Sequence, residues 1–140
     1  MGKPAKSYDR ILRVRTLQLG QVRSQEVAAR AKVAQEEALR ARIAQLSAGV
    51  APAPEAGGAI AMIAAAHYRE RLHQSAHVAS QRVAVAEQNL SQAENATREA
   101  KRDQSAIEKL IARGEAAAVV KAMRELEKLP ATARNRHDLC

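Results

Sequence analysis

The sequence has almost no large aromatic side chains: among 140 residues there is no Phe, no Trp and only two Tyr. A compact core needs such side chains to fill its volume, so a globular domain of this length is not expected. Alanine is instead the most frequent residue, with 32 copies. Because alanine favours helix but buries little area, the composition favours helices packed closely along their length. The expected fold is extended and all-α.

Other features that the sequence lacks exclude several classes of protein. A single cysteine, Cys140, allows no internal disulfide and indicates a reducing compartment. No apolar stretch is long enough to span a membrane, and the N-terminus lacks the continuous apolar stretch of a secretory signal. The sequence also has no nucleophile elbow, no phosphate loop and no paired cysteines at zinc spacing. We therefore expect no enzymatic activity, no cofactor and no small-molecule substrate.

The second half of the chain carries a heptad seam in which one of the two core positions is almost always alanine. The a positions are Ala76, Val83, Leu90, Thr97, Gln104 and Ile111. The d positions are Leu72, Ala79, Ala86, Ala93, Ala100 and Ile107. Sustained spacing of three and four residues predicts a coiled coil rather than the helix of a globular protein.

Proline and glycine cluster in residues 49–58, which hold two prolines and three glycines and separate two long segments with helical patterning. Such a cluster ends a helix and permits the chain to reverse. We predict an all-α fold, a long antiparallel two-helix coiled-coil hairpin over 8–129. Its helices span 8–48 and 60–129, and its turn spans 49–59. Residues 1–7 and 130–140 are expected to be flexible.

The heptad pattern of apolar residues in the first helix is less regular than that in the second. Glu26, Glu36 and Arg40 fall where one register needs apolar residues. A second register would use Val27, Ala31, Ala34, Ala38 and Ala41. The pattern leaves two explanations open, a shift of register and contact with more than one neighbour.

The second helix is predicted to be the longer of the two. With a turn centred near residue 54, the first helix ends opposite about residue 100, so the second helix overhangs by about 30 residues. Gly114 lies in this overhang and permits a kink. The overhang also carries an apolar face formed by Ala116, Val119, Val120, Met123 and Leu126. We expect this face either to fold back or to bind another molecule.

The net charge of +8 is concentrated at the N-terminal end of the chain, where residues 1–50 alone carry a balance of +6. In an antiparallel hairpin this basic end lies beside the later part of the second helix and should attract an acidic surface. Binding of nucleic acid is the weaker alternative. No dense basic helix precedes the seam, and two tyrosines are too few to stack on bases.

One cluster has the residue types of a metal site: Glu70, His73 and His77 recur at helical spacing. Metal sites in helical bundles also need carboxylates from other helices. We therefore interpret this cluster as solvated surface and expect no metal.

The predicted architecture and two local patches resemble the FliJ family of flagellar export proteins and its injectisome relatives. The first patch is Tyr68-x-x-x-Leu72, soon after the turn. The second is Arg98-Glu-x-Lys-Arg102, which leads into Ile107-Glu-Lys-Leu110. The resemblance covers residues 8–113. The chain departs from the family by its many alanines on the second helix and by its short tail.

The resemblance implies a cytoplasmic, non-enzymatic component of a type III export apparatus, held at the inner face of the membrane through its partners. Members of this family bind the hexameric export ATPase, contact the membrane protein of the export gate and handle export chaperones. The expected ATPase-facing residues are Arg10, Arg13, Arg15, Arg98, Lys101 and Arg102. Tyr68 and Leu72 are the expected gate-facing residues, and Val119, Met123 and Leu126 complete the expected partner-binding set. The main alternative is a structural scaffold that self-associates through the alanine seam.

Overall fold

The computed structural model of the chain describes residues 3–50 and 58–130, with side chains from residue 6 onward. Two helices make up the described part: α1 spans Lys3–Gly49 and α2 spans Ala59–Glu127. They pack against each other as an antiparallel pair, and the described residues contain no strand. The predicted all-α two-helix hairpin is confirmed.

The helix ends follow from local chemistry. α1 begins at Lys3, earlier than the predicted residue 8, and its first turn includes Pro4. Proline is tolerated there because first-turn N–H groups have no acceptor within the helix. α2 ends at Glu127, shortly before Pro130, which cannot continue a helix. It passes through Gly114 without interruption. The middle of the predicted turn and residues 131–140 of the predicted tail, with Cys140, lie outside the described residues.

The chain forms two compact units. One is Leu17–Lys101, and the other combines Met1–Thr16 with Arg102–Cys140. The first unit holds every buried side chain of the described residues. These are Leu19, Glu36, Leu72, Ala79, Val83 and Ala86.

The predicted seam of α2 is the face that packs against α1. Every a and d position from Leu72 to Ile111 is buried or partly buried. Ala79 and Ala86, two of its alanines, are only 2% and 5% exposed. Small side chains at these positions let the two helix backbones approach closely, so the core between the helices is narrow.

The structure resolves the register of α1 in favour of a single regular heptad. Its buried and partly buried positions are Leu12, Arg15, Leu19, Val22, Glu26, Ala29, Val33, Glu36 and Ile43. The alternative seam that begins at Val27 is exposed at all of its positions. There is accordingly no register shift in α1. The charged residues Glu26 and Glu36 occupy seam positions.

The two helices overlap differently from the prediction. In the Leu17–Lys101 unit, Glu36 pairs with Arg82, and the residue numbers of this pair add to 118. The same register places Gly49, the end of α1, opposite about residue 69 of α2. The first turns of α2 therefore extend past the end of α1. From residue 58 to residue 71 only Ala65 is partly buried.

The prediction that α2 is unpaired beyond about residue 100 is wrong, as contacts in the other unit show. Arg15 pairs there with Asp103, and Ile107 and Ile111 are still partly buried. Every residue from 112 to 130 is exposed. The unpaired end of α2 is thus shorter than predicted. The expectation failed because it placed the turn midway between the helices, whereas the observed register is offset toward the C-terminal side of α2.

Candidate partner-binding surfaces

The charged side chains within the α1 seam are occupied by partners inside the hairpin. Oε1 of Glu36 accepts hydrogen bonds from Nζ of Lys32 at 2.8 Å and from Nη2 of Arg82 at 2.9 Å. Its Oε2 is buried and has no hydrogen-bond partner among the described residues. The hydrogen bond from Lys32, followed by that from Arg82, lowers the pKa of Glu36, and desolvation opposes this shift.

A second cluster in the same unit centres on Arg30. Its Nη2 lies 2.7 Å from Oε1 of Glu26 and 3.2 Å from Oε1 of Glu94, so one guanidinium links the two helices. Glu94 also lies 3.7 Å from Arg98, one of the predicted partner-binding residues. Arg98 is exposed and takes part in this local pairing. Because exposed pairs of this kind are weak, Arg98 remains available to a competing anion.

In the other unit, the N-terminal part of α1 is tied to α2 by polar contacts. Nη1 of Arg15 lies 3.0 Å from Oδ2 of Asp103, and Nε2 of Gln104 donates to Oγ1 of Thr16 at 3.2 Å. Arg15 is therefore partly buried and engaged in the hairpin. Arg10 and Arg13, which were predicted to act with it, are exposed.

These polar pairs were not found from the sequence, although a signal for them existed. Arg15, Glu26 and Glu36 lie at heptad positions of one register of α1. Once that register is aligned antiparallel to the seam of α2, opposite charges fall nearby: Asp103 beside Arg15, and Arg82 beside Glu36. The missing step was to test charge complementarity between the two stripes, instead of apolar content in each stripe alone.

The remaining predicted basic residues are distributed over both units. Arg98 and Lys101 belong to the Leu17–Lys101 unit, and Arg102 belongs to the unit that contains Arg10 and Arg13. All five side chains are exposed. Within that second unit, Arg10, Arg13 and Arg102 thus form the exposed basic set, with Arg15 held in its pair with Asp103.

The two predicted gate-facing residues have different environments. Tyr68 is 48% exposed, whereas Leu72 is 9% exposed and packs within the hairpin seam. Exposed apolar side chains near Tyr68 extend the surface toward the start of α2, and the sequence analysis did not single them out. They are Ile60, Met62 and Ile63. We call Ile60, Met62, Ile63 and Tyr68 the turn-end apolar patch; at about 100° per residue they are distributed round the start of α2, and no single face carries all four.

The predicted apolar face near the end of α2 is exposed. We call Ala116, Val119, Val120, Met123 and Leu126 the C-terminal apolar stripe; each of these side chains is exposed. Met123 follows Ile111, the last partly buried seam residue, by twelve positions. Twelve residues at about 100° each place it about 120° round the helix from Ile111. The stripe therefore lies on a different side of α2 from the seam.

Glu70, His73 and His77, the cluster with the residue types of a metal site, are exposed on α2. The described residues contain no group of three or more His, Cys, Asp or Glu side chains placed to hold a metal ion. Glu70 accepts a hydrogen bond from Gln74, and His77 shares one with Gln81 on the helix surface. Neither α1 nor α2, as far as they are described, has a stretch apolar enough to cross a bilayer.

The described residues form a helical hairpin with three sets of exposed side chains: the exposed basic set, the turn-end apolar patch and the C-terminal apolar stripe. Comparison with known proteins adds no relative to this description. No family model, no curated protein and no solved structure matches the chain.

Proposed function

We propose that this chain is a non-enzymatic coiled-coil adaptor of a flagellar or related type III export apparatus. It binds the export ATPase ring and couples it to the export gate and to export chaperones, and it is held at the inner face of the membrane through these partners. One observation carries the proposal. In each unit, part of α2 continues past the residues that pack against α1, with large apolar side chains exposed. Such exposure is unfavourable for a self-contained hairpin and useful to an adaptor.

The basic set supports contact with the ATPase. Within the N-terminal part of α1, residues 6–16, the charged side chains are Lys6, Asp9, Arg10, Arg13 and Arg15. A surplus of positive charge on an exposed helix favours encounter with an acidic opening in a protein ring. Because Arg15 pairs with Asp103, we assign the ring contact to Arg10 and Arg13.

The turn-end apolar patch supports contact with the gate. Ile60 is 85% exposed, Met62 is 71% exposed and Tyr68 is 48% exposed. Aromatic and methionine side chains are enriched at protein interfaces, where they bury large areas. Leu72 lies inside the hairpin, so its role in this proposal is to hold the patch in place from beneath.

A co-purification experiment tests the ATPase contact. The double variant Arg10→Glu and Arg13→Glu should reduce binding to a hexameric export ATPase by at least about tenfold at physiological salt, because it replaces attraction with repulsion at two positions. Arg23→Glu, an exposed change elsewhere in α1, is the matched control and should bind normally. Circular dichroism should show full helix content in both. Wild-type binding by the double variant would overturn the assignment.

A structural scaffold that assembles through the alanine seam is the competing function. Ala79 and Ala86 are buried in the hairpin, so assembly through this seam requires the two helices to separate or exchange. Light scattering at low concentration distinguishes the two functions. A monomer that binds the ATPase supports the adaptor, and an obligate dimer or tetramer supports the scaffold. A mobility-shift assay at physiological salt tests the weaker alternative, nucleic-acid binding.

A further inference from the structure

The C-terminal apolar stripe has the spacing of a coiled-coil seam. Ala116, Val119, Met123 and Leu126 follow one another at intervals of three, four and three residues, and each is exposed. Val119 is 59% exposed and Leu126 is 65% exposed. Since the stripe faces a different side of α2 from the hairpin seam, α1 cannot cover it by extending along the same groove. A helix from another molecule can.

The charges that flank the stripe indicate which helix fits. Arg113, Val120 and Glu127 are seven residues apart, so they lie along one edge of the stripe. All three are exposed. Neither Arg113 nor Glu127 takes part in an ion pair of the described residues. This edge therefore carries a positive charge at one end, a negative charge at the other and an apolar residue between them.

When two copies of this edge lie antiparallel, the positive end of each meets the negative end of the other. If residue 121 lies on a two-fold axis, Ala116 faces Leu126 of a second copy and Val119 faces Met123 of a second copy. On the flanking edge, Arg113 then lies beside Glu127 of the second copy, and the two Val120 side chains meet near the axis. A parallel pair would instead place Glu127 beside Ala122 of the second copy and leave its charge without a partner.

We propose that residues 112–127 of α2 pair antiparallel with the same segment of a second copy of this chain. The apolar layers supply the attraction, and the Arg113–Glu127 pairs, formed twice by symmetry, fix the orientation. The stripe spans only two heptads, which is small beside the roughly 1,200–2,000 Å² of a standard stable interface. Self-association is therefore weak, and it is lost on dilution. It involves purified chain alone and does not depend on the function proposed above.

Charge reversal tests the proposal. Sedimentation equilibrium of the full chain, up to about 1 mM protein, should show a monomer–dimer equilibrium for the wild type. Arg113→Glu alone and Glu127→Arg alone each create two repulsive pairs and should weaken the dimer about tenfold. The double variant, and an equimolar mixture of the two single variants, restore opposite charges at both positions. Both should associate as the wild type does.

The matched control is Lys121→Glu, a charge reversal in the same segment on the side of α2 opposite the stripe, which should leave association unchanged. Met123→Asp should abolish dimerisation by placing a charge in a central layer. All these positions are exposed, so helix content by circular dichroism should not change. Three results would each overturn the proposal: a monomeric wild type at about 1 mM, single variants that associate normally, or a mixture no stronger than its components.

Discussion

The seam and the C-terminal apolar stripe of α2 share a spacing but lie in opposite environments. Ala79 in the seam is 2% exposed, whereas Val119 in the stripe is 59% exposed. Of these two, the larger apolar side chain is outside and the smaller one inside, although the seam also buries Leu72 and Val83. In this helix, burial is decided by where α1 lies alongside, and not by the hydrophobicity of the residue itself.

The difference also shows how the hairpin is stabilised. An alanine buries little area, so each layer of the seam contributes little and the stability is spread over many layers. Among the buried apolar side chains of the described residues, only Leu19, Leu72 and Val83 are larger than alanine. A change at one of these three should therefore matter far more than the same change in the stripe.

The largest expected effect comes from placing a charge in each region. Val83→Asp should lower the free energy of unfolding by about 3 kcal/mol or more, because it buries a carboxylate without a designed partner. Val119→Asp, the matched change in the stripe, should alter it by no more than about 0.5 kcal/mol. Urea denaturation followed by circular dichroism at low protein concentration measures both.

Equal losses in the two variants would break the comparison, since they would mean that α1 or another part of the chain covers Val119 as well. A small loss in Val83→Asp alone would have a different meaning. It would show that Arg82 or another nearby cation can take up the new carboxylate.

Lowering the pH should reduce the stability of the buried seam through Glu36. Because the folded-state pKa of Glu36 is lowered, its contribution to stability is present above the ordinary value of 4.5 and is lost as pH falls through the folded-state pKa. Wild-type protein should therefore lose stability on acidification below about pH 4.5 more steeply than Glu36→Gln. Urea midpoints measured from neutral pH to about pH 2 test this.

Glu37→Gln is the control for this titration, since Glu37 is the next residue along α1 and is exposed. It removes one carboxylate from the same turn without touching the Lys32 and Arg82 contacts of Glu36. Its midpoints should follow those of the wild type across the acid range. If the two Gln variants lose stability in parallel, Glu36 has no special share in the acid response.

The seam of α2 could be predicted from sequence position by position, and the register of α1 could not. Each seam residue of α2 is apolar or small, apart from Thr97 and Gln104, so its periodicity is clear. In α1 the carboxylates of Glu26 and Glu36 interrupt the apolar pattern, and hydrophobic periodicity counts them as errors. They are tolerated because Arg30, Lys32 and Arg82 supply partners that apolar patterning does not consider.

The surfaces were predictable in composition but not in extent. Met123 and Leu126 were assigned to an apolar face that would either fold back or bind another molecule, and both are exposed. The turn-end apolar patch was missed, because its exposure depends on an offset between the helices that neither stripe encodes alone. Only the cross-helix pairs, such as Arg82 with Glu36, reveal that offset.

Replacing one glycine in each region tests the same comparison, with a smaller expected change in stability. Gly20 lies in the paired part of α1 and Gly114 in the unpaired part of α2; a Cβ added at either meets nothing within 4 Å. Gly20→Ala should raise the free energy of unfolding of the hairpin by about 0.5–1 kcal/mol, through helix propensity. Gly114→Ala should increase helix content near the end of α2 with little change in that free energy. Thermal unfolding and helix content by circular dichroism distinguish these outcomes; a large gain from Gly114→Ala would contradict the comparison.

The smallest effect is expected near the boundary between the two stripes, at the pair of Arg15 and Asp103. Their side chains are 41% and 51% exposed, so water screens most of the attraction. A double-mutant cycle with Arg15→Gln and Asp103→Asn should give a coupling energy of about 0.2–1 kcal/mol. It should vanish in about 1 M NaCl, where the screening length is only about 3 Å. A coupling that survives high salt would mean that this pair is shielded from solvent, and that the covered part of α2 extends further toward Ala116 than its exposure indicates.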